Sequence, residues 1–240
     1  MNVRSFLPII AISLFVIRAA AQAPSVDTLA HTETAKVIDA YNKTVGDQSA
    51  FYNGQEYYPP AQAVKGSPFF LGAMSMQPSL ICYDHTWYKD VPVFYDLLND
   101  QMVSAARNVL YSVRTGRLSD VVLAGHHFIY LNAQDSGGLD PGYYDQLYGG
   151  KSAVLVKRTC TVVTRAGDRA TEVTYEDKNV IYIKKGNQYV SVGSKGSVLN
   201  VFKDKAKQLK QDLAANKISY GKDREGSIIK LATWYDQPAN

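Results

Sequence analysis

The chain has 240 residues, with 26 Lys+Arg against 22 Asp+Glu and a formal net charge of +4. Removing residues 1–23 takes away Arg4 and Arg18 but no acid, so the charge falls to +2. A nearly balanced exported chain gives no electrostatic case for a nucleic-acid partner. The remaining length is enough to bury a core as a single domain.

The first 23 residues read as a secretory signal peptide: Arg4 supplies the positive start, Phe6 to Ile17 an apolar run, and Ala19-Ala20-Ala21 and Ala21-Gln22-Ala23 small-residue cleavage patterns. That run is shorter than the roughly 20 residues a membrane span needs, and no later stretch is apolar enough to cross. The expected location is therefore exported: periplasmic, outer-membrane-associated or extracellular, with no transmembrane span in the mature chain.

Residues 24–240 read as one α+β domain. Within 24–66, Asp27 to Val45 carries imperfect helical spacing and Gly46 stops it. The irregular stretch after it holds the Asn53-Gly54 turn dipeptide and Pro59-Pro60. From 67 to 193 the apolar period becomes two, which predicts an antiparallel meander, either a curved sheet or a partly open barrel. Strands are predicted at 69–76, 79–83, 86–97, 102–106, 109–114, 121–131, 153–164, 172–175, 180–184 and 189–192. Asp84-His85, Asn99-Asp100, Thr115-Gly116 and Lys185-Gly186-Asn187 are the turn signals between them. Asn132 to Ser152, punctuated by Gly137-Gly138, Asp140-Pro141-Gly142 and Gly149-Gly150, reads as one long loop, and a loop of that length in a domain is usually functional or mobile. Residues 194–240 read as a helical tail, with helices at 194–203, 204–216 and 223–236.

Three carboxylates in YKDVPVFYDLLNDQMV (Tyr88 to Val103) invite a catalytic reading. Asp90 and Asp96 share a face of an extended chain, but six residues separate them by roughly 20 Å. Paired acids in glycoside hydrolysis stand roughly 5–9.5 Å apart. Asp100 falls where a hairpin must turn, and Pro92 requires an edge position or a bulge. His126-His127 cannot share one metal from a strand, because neighbours point to opposite faces. No metal or other cofactor is expected. Cys82 and Cys160 either bridge, closing a loop of about 78 residues worth roughly 4–5 kcal/mol, or stay buried as thiols. There is no Gly-x-Ser-x-Gly, and Gly149-Gly150-Lys151-Ser152 lacks the spacing of a phosphate-cradling loop. Lys203, Lys205, Lys207 and Lys210, interleaved with Asp204 and Asp212, read as a solvated helix face.

Tyr is abundant, at 17 residues, which suits half-exposed strands and ligand stacking alike. Rings on loops with a few polar groups can form a binding site. The site the sequence favours joins Tyr57 and Tyr58 to Tyr143, Tyr144 and Asp145.

Three stretches, ICYDHTWYKDVPVFYDLLNDQMV, GYYDQLYGGK and the tail from Val192 to Asp236, resemble a family of exported, signal-peptide-bearing proteins from Bacteroidota bacteria. The family has no described activity, and the resemblance implies a location facing the envelope of a Gram-negative cell. It brings no site residues. The leading expectation is an envelope-associated, non-catalytic protein that binds an envelope component, glycan, lipid or protein through aromatic loops. One alternative is a hydrolase on envelope or extracellular polymer using Glu56, Asp96 and Asp145. The other is a carrier of a lipid or apolar ligand inside a curved sheet.

Overall fold

The structure is a computed structural model, and it describes residues 52–60, 64–72, 74–166 and 171–237. The signal peptide and the helix expected at 27–45 lie outside the described residues. The chain is α+β: the described residues form an open antiparallel sheet of eleven strands with three helices at its C-terminal end.

The strands are β1 (Gln55–Glu56), β2 (Gln77–Tyr83), β3 (Thr86–Asp96), β4 (Gln101–Ala106), β5 (Val109–Ser112), β6 (Leu118–Leu123), β7 (His126–Leu131), β8 (Gly142–Tyr148), β9 (Val154–Ala166), β10 (Thr171–Lys185) and β11 (Gln188–Val192). Their order is β1-β5-β4-β3-β2-β6-β7-β8-β9-β10-β11, so β1 and β11 are the two edges. Apart from β1 and the return of β6 to β2, each strand pairs with its successor.

Local chemistry sets the joints. Asp84-His85, Arg107-Asn108 and Ala124-Gly125 each place two residues at positive φ. A two-residue hairpin turn asks for that pair because its twist then matches the strands. Ala124-Gly125 divides the predicted strand 121–131 into β6 and β7. The Asn99-Asp100 turn holds, with Asp100 at φ 54. Pro92 is not at an edge: β3 lies between β2 and β4, and Pro92 stands opposite Pro78, so the two residues without an N–H face each other. The irregularity comes just before it, where Asp90 takes φ 56 and the β2–β3 register shifts.

Two expectations are corrected. Residues 69–76 do not form a strand: Phe69 makes one bridge to Asp96, then Phe70–Gly72 turns as a 3-10 helix with Leu71 at φ 60. Phe69 and Phe70 pack against the core, whereas Leu71 and Met74 are exposed. The expected loop 132–152 contains β8, which pairs with β7 and β9 in the middle of the sheet.

The helices are α1 (Lys195–Val201), capped by the Ser194 hydroxyl, α2 (Ala206–Ala215) and α3 (Arg224–Asp236), capped by the Asp223 carboxylate. Their apolar stripes bury Val198, Phe202, Leu209, Leu213, Ile228 and Leu231 against Val154, Val156, Ile181 and Ile183 of β9 and β10. A second core, made mainly by strands, centres on Tyr95, Met102, Leu118, Phe128 and Tyr143. Each buried aliphatic side chain contributes about 1.5–3 kcal/mol to holding these layers together. Cys82 and Cys160 are buried free thiols, and burial raises the Cys160 pKa. Among the described residues, no helix is long and apolar enough to cross a membrane.

Candidate functional site

The five residues favoured by the sequence do not share a surface. Tyr143 and Tyr144 are 1% and 2% exposed, and as neighbours on β8 they point to opposite faces of the sheet. Tyr143 packs edge-on against Tyr95 and Tyr130, with ring centres 6.0 and 5.1 Å away. The Tyr144 hydroxyl donates to the Asp140 carbonyl at 2.8 Å, and its ring lies 4.9 Å from the Lys157 ammonium. Tyr57 is buried too, and its hydroxyl donates to Asp96 at 2.8 Å. Burial first, and the Asp96 carboxylate second, push the Tyr57 pKa well above the usual tyrosine value. Only Tyr58, 75% exposed, stands in solvent.

Asp145 is the hub of a buried ion network. Its Oδ2 accepts from His126 Nδ1 at 2.7 Å and from Arg158 Nε at 2.7 Å. Arg158 then reaches Glu225, in the first turn of α3, with NH1 at 3.2 Å and NH2 at 3.0 Å. The Phe70 ring covers the network, 5.9 Å from the guanidinium and 5.0 Å from the imidazole. Burial alone would lower the Arg158 pKa, but the bonds to Glu225 and Asp145 hold it above its ordinary value. Arg158 sits on β9 between Val156 of one core and Cys160 of the other. The network therefore fastens α3 to the seam between the two cores. His127, on the other face, pairs with Asp120 at 3.0 Å.

The acids of the hydrolase alternative do not converge on an open cleft. Asp96 is fully buried, and its two oxygens accept four hydrogen bonds, from Tyr57 Oη, Asn99 Nδ2 and the backbone N–H groups of Leu98 and Asn99. Asp145 is sealed under Arg158, and Glu56 is exposed on the β1 edge. Asp100 is likewise structural: it accepts from Tyr95 Oη, Lys157 Nζ and the Tyr143 N–H, tying the β3–β4 turn to β8 and β9. Among the described residues, no three His, Cys, Asp or Glu side chains gather as a metal set. An apolar pocket lined by Phe70, Leu71, Phe94, Tyr95 and Leu123, with Ser75 and Gln77, holds about 220 Å³. That is too small for a lipid chain by the several hundred Å³ such sites occupy.

A larger cleft of about 630 Å³ lies where the sheet meets the end of α3. Lys151 and Ser152 line it from the β8–β9 connection, Lys184 to Gly186 from the β10–β11 turn, Lys205 from the start of α2, and Tyr235 to Gln237 from the end of α3. The fold draws them together through Asp236, whose Oδ2 accepts from the Ser152 N–H at 2.9 Å and from the Tyr148 hydroxyl at 3.1 Å. Gly150 is required for that clasp: a Cβ there would collide with the Tyr148 hydroxyl and the Asp236 carboxylate.

Four lysines line this space, but Lys184 and Lys185 are neighbours on β10 and point to opposite faces; Lys185 turns to the helices, and it and Lys205 are engaged. Lys205 donates to the carbonyls of Tyr235 at 3.0 Å and Gln237 at 3.1 Å, which neutralises the negative end of α3. Lys185 donates to the Tyr235 hydroxyl at 2.9 Å and to Asp204 at 3.4 Å. The Tyr235 bond first, with Asp204 adding to it, keeps the Lys185 pKa above its usual value despite some opposing burial. The Tyr235 ring is stacked on Phe202, with centres 4.3 Å apart. Lys184 lies 6.0 Å from the Tyr189 ring, and Lys151 has no hydrogen-bonding or ionic partner among the described residues. Lys205 thus departs from the solvated-face reading, because its ammonium turns inward onto the helix end. Such a site can hold an anion by charge.

The chain matches no family model, no curated protein and no solved structure.

Proposed function

We propose that this is an exported, envelope-associated, non-catalytic binding protein, and that its ligand is anionic and enters the lysine-lined cleft. The observation that carries the reading is the placing of Lys151, Lys185 and Lys205 around one open space of about 630 Å³. Among the described residues, the carboxylate that lines it, Asp236, already accepts from Ser152 and Tyr148. Positive charge focused in a concave wall raises the local concentration of anions and speeds their capture. Export rests on the leader-like residues 1–23 and on the resemblance to exported Bacteroidota proteins. The partner class thereby narrows from any envelope component to one that carries negative charge.

The test is binding of fluorescent dextran sulfate, read by anisotropy at low salt and at about 0.5 M salt, where exposed charges are screened within a few ångströms. The mature protein is expected to bind at low salt and to release as salt rises. The variant Lys151→Glu is expected to lose binding with little change in melting temperature, because its side chain holds no hydrogen bond or ion pair among the described residues. Equal binding by the variant would remove the cleft as the site.

A further inference from the structure

At the β1 edge of the sheet, away from the residues of the lysine-lined cleft, a cavity of about 420 Å³ is lined by Asn53, Gln55, Gln101, Ser112, Arg114 and Thr115, with Gly54 and Val113. We infer that this is a second binding site and that it takes a uronate: one carboxylate on a hydroxyl-rich sugar ring.

Register decides which side chains meet here. Gln55 stands opposite Ser112, and Ser112 opposite Val103. The Val113 N–H bonds the Met102 carbonyl at 2.8 Å, which carries the pairing of β5 with β4 one step past Ser112. Side chains two apart on a strand share a face, so Gln55, Ser112, Arg114 and Gln101 lie on one side of the sheet. The Val113 side chain points the other way, into the strand core. Arg114 Nε donates to the Asn53 carbonyl at 3.0 Å, which anchors the guanidinium beside β1. Its remaining N–H groups, the end-on fork, are left for a ligand. Asp96 stands opposite Gln101 on this face, but it is fully buried and its oxygens are filled by the four hydrogen bonds described above.

The chemistry of the lining narrows the ligand. Among the described residues it carries one cation and no acid. A single charge suits one carboxylate, which a planar guanidinium holds in two parallel bonds. The side chains of Asn53, Gln55, Gln101, Ser112 and Thr115 make no hydrogen bond among the described residues. These amides and hydroxyls can each donate and accept, as sugar hydroxyls do. A peptide ending in a carboxylate fits less well. Val113 is the apolar residue of the lining and is 1% exposed, so an apolar peptide side chain finds no slot. A nucleotide fits less well too, because the lining offers no aromatic ring on which a base could stack. The volume lies within the roughly 300–1,000 Å³ of small-molecule sites.

The experiment is a nuclear magnetic resonance titration of the isotope-labelled mature protein with methyl glucuronide, methyl glucoside and cyclohexanecarboxylate, read at the side-chain amide signals of Gln55 and Gln101. Methyl glucoside keeps the ring and its hydroxyls without the charge. Cyclohexanecarboxylate keeps the charge without the hydroxyls. Methyl glucuronide is expected to shift both signals and to bind at least about tenfold tighter than either of the others. Arg114→Lys keeps the charge and loses the fork, so it is expected to weaken methyl glucuronide about tenfold. The melting temperature should stay the same, since Arg114 is exposed. Lys151→Glu, which acts at the other cleft, is expected to leave this titration as it was. Equal affinity for methyl glucoside would overturn the carboxylate pairing, and equal affinity for cyclohexanecarboxylate would overturn the sugar. Full affinity in Arg114→Lys, or loss of binding in Lys151→Glu, would overturn the site itself. A tetrasaccharide of linked glucuronates separates the sources. Binding at least about tenfold tighter than methyl glucuronide assigns a unit within a polymer, and no gain assigns a free or terminal sugar acid.

Discussion

At the scale of single residues, this protein spends its acids on holding backbone together. Asp96 illustrates it: on sequence it is one of three carboxylates in a suggestive stretch, and in the fold its two oxygens close the β3–β4 turn with four hydrogen bonds. Asp96→Ala would strand two backbone N–H groups and the Tyr57 hydroxyl in a buried place, so a loss of about 3 kcal/mol is expected in urea unfolding. A loss under about 1 kcal/mol would mean that the turn finds other partners. Gly150 makes a second case. Gly150→Ala is expected to push Asp236 off the Ser152 N–H and weaken anion binding at the cleft without touching a lysine. The pair of turn residues at Asp84-His85 and the separation of His126 from His127 were readable from residue type and the period of two. The roles of Asp96 and Asp145 were not, because a carboxylate looks the same in sequence whether it faces water or a buried arginine.

Among the elements, α3 matters most. Its first turn is held by Arg158 through Glu225, and its last residues by Asp236 on Ser152 and by Lys205 on the closing carbonyls. The cleft therefore exists only while α3 is docked at both ends. Arg158→Ala leaves Asp145 buried without its cation, and a cost of about 3–5 kcal/mol is expected from denaturant unfolding. Glu225→Ala, at the exposed end of the same network, is expected to cost clearly less. Equal losses would show that the network does not fasten the helix in this order. The helices themselves were legible, since Ser194 and Asp223 are cap residues followed by apolar stripes. β8 was hidden because turn residues crowd both its ends, Asp140-Pro141-Gly142 before and Gly149-Gly150 after. Its Tyr-Tyr-Asp centre consequently looked like an exposed loop when it is the middle of a sheet. Gly142 gives the reason for one of those turn residues: a Cβ there would strike the Asp100 carboxylate and the Lys157 ammonium, so the glycine serves a close contact rather than a loop.

Across the whole molecule, one sheet serves two cores, and tyrosines fill much of the space between strands. Tyr57, Tyr95, Tyr143 and Tyr144 all have pKa values raised above the ordinary value, first of all by burial. Folded tyrosines with raised pKa values keep their protons where the unfolded chain begins to lose them, near pH 10. Their contribution to stability is thus complete below about pH 10 and is lost as pH climbs toward the folded values. Phenolate absorbance from these rings is expected to appear together with loss of near-ultraviolet circular dichroism. Ionisation of all the tyrosines near pH 10 with the dichroism intact would contradict their burial. The α+β class and the meander were legible because alternation and turn chemistry are local. The cleft was not, since its lysines come from three stretches spread between Lys151 and Lys205 and meet a helix end beyond them. The measurement that tests the central claim most directly is a crystal structure of the mature chain grown with methyl phosphate. The account predicts phosphate density within hydrogen-bonding reach of the Lys151 ammonium. A fully ligated structure with phosphate bound elsewhere and this cleft filled only by solvent would contradict it.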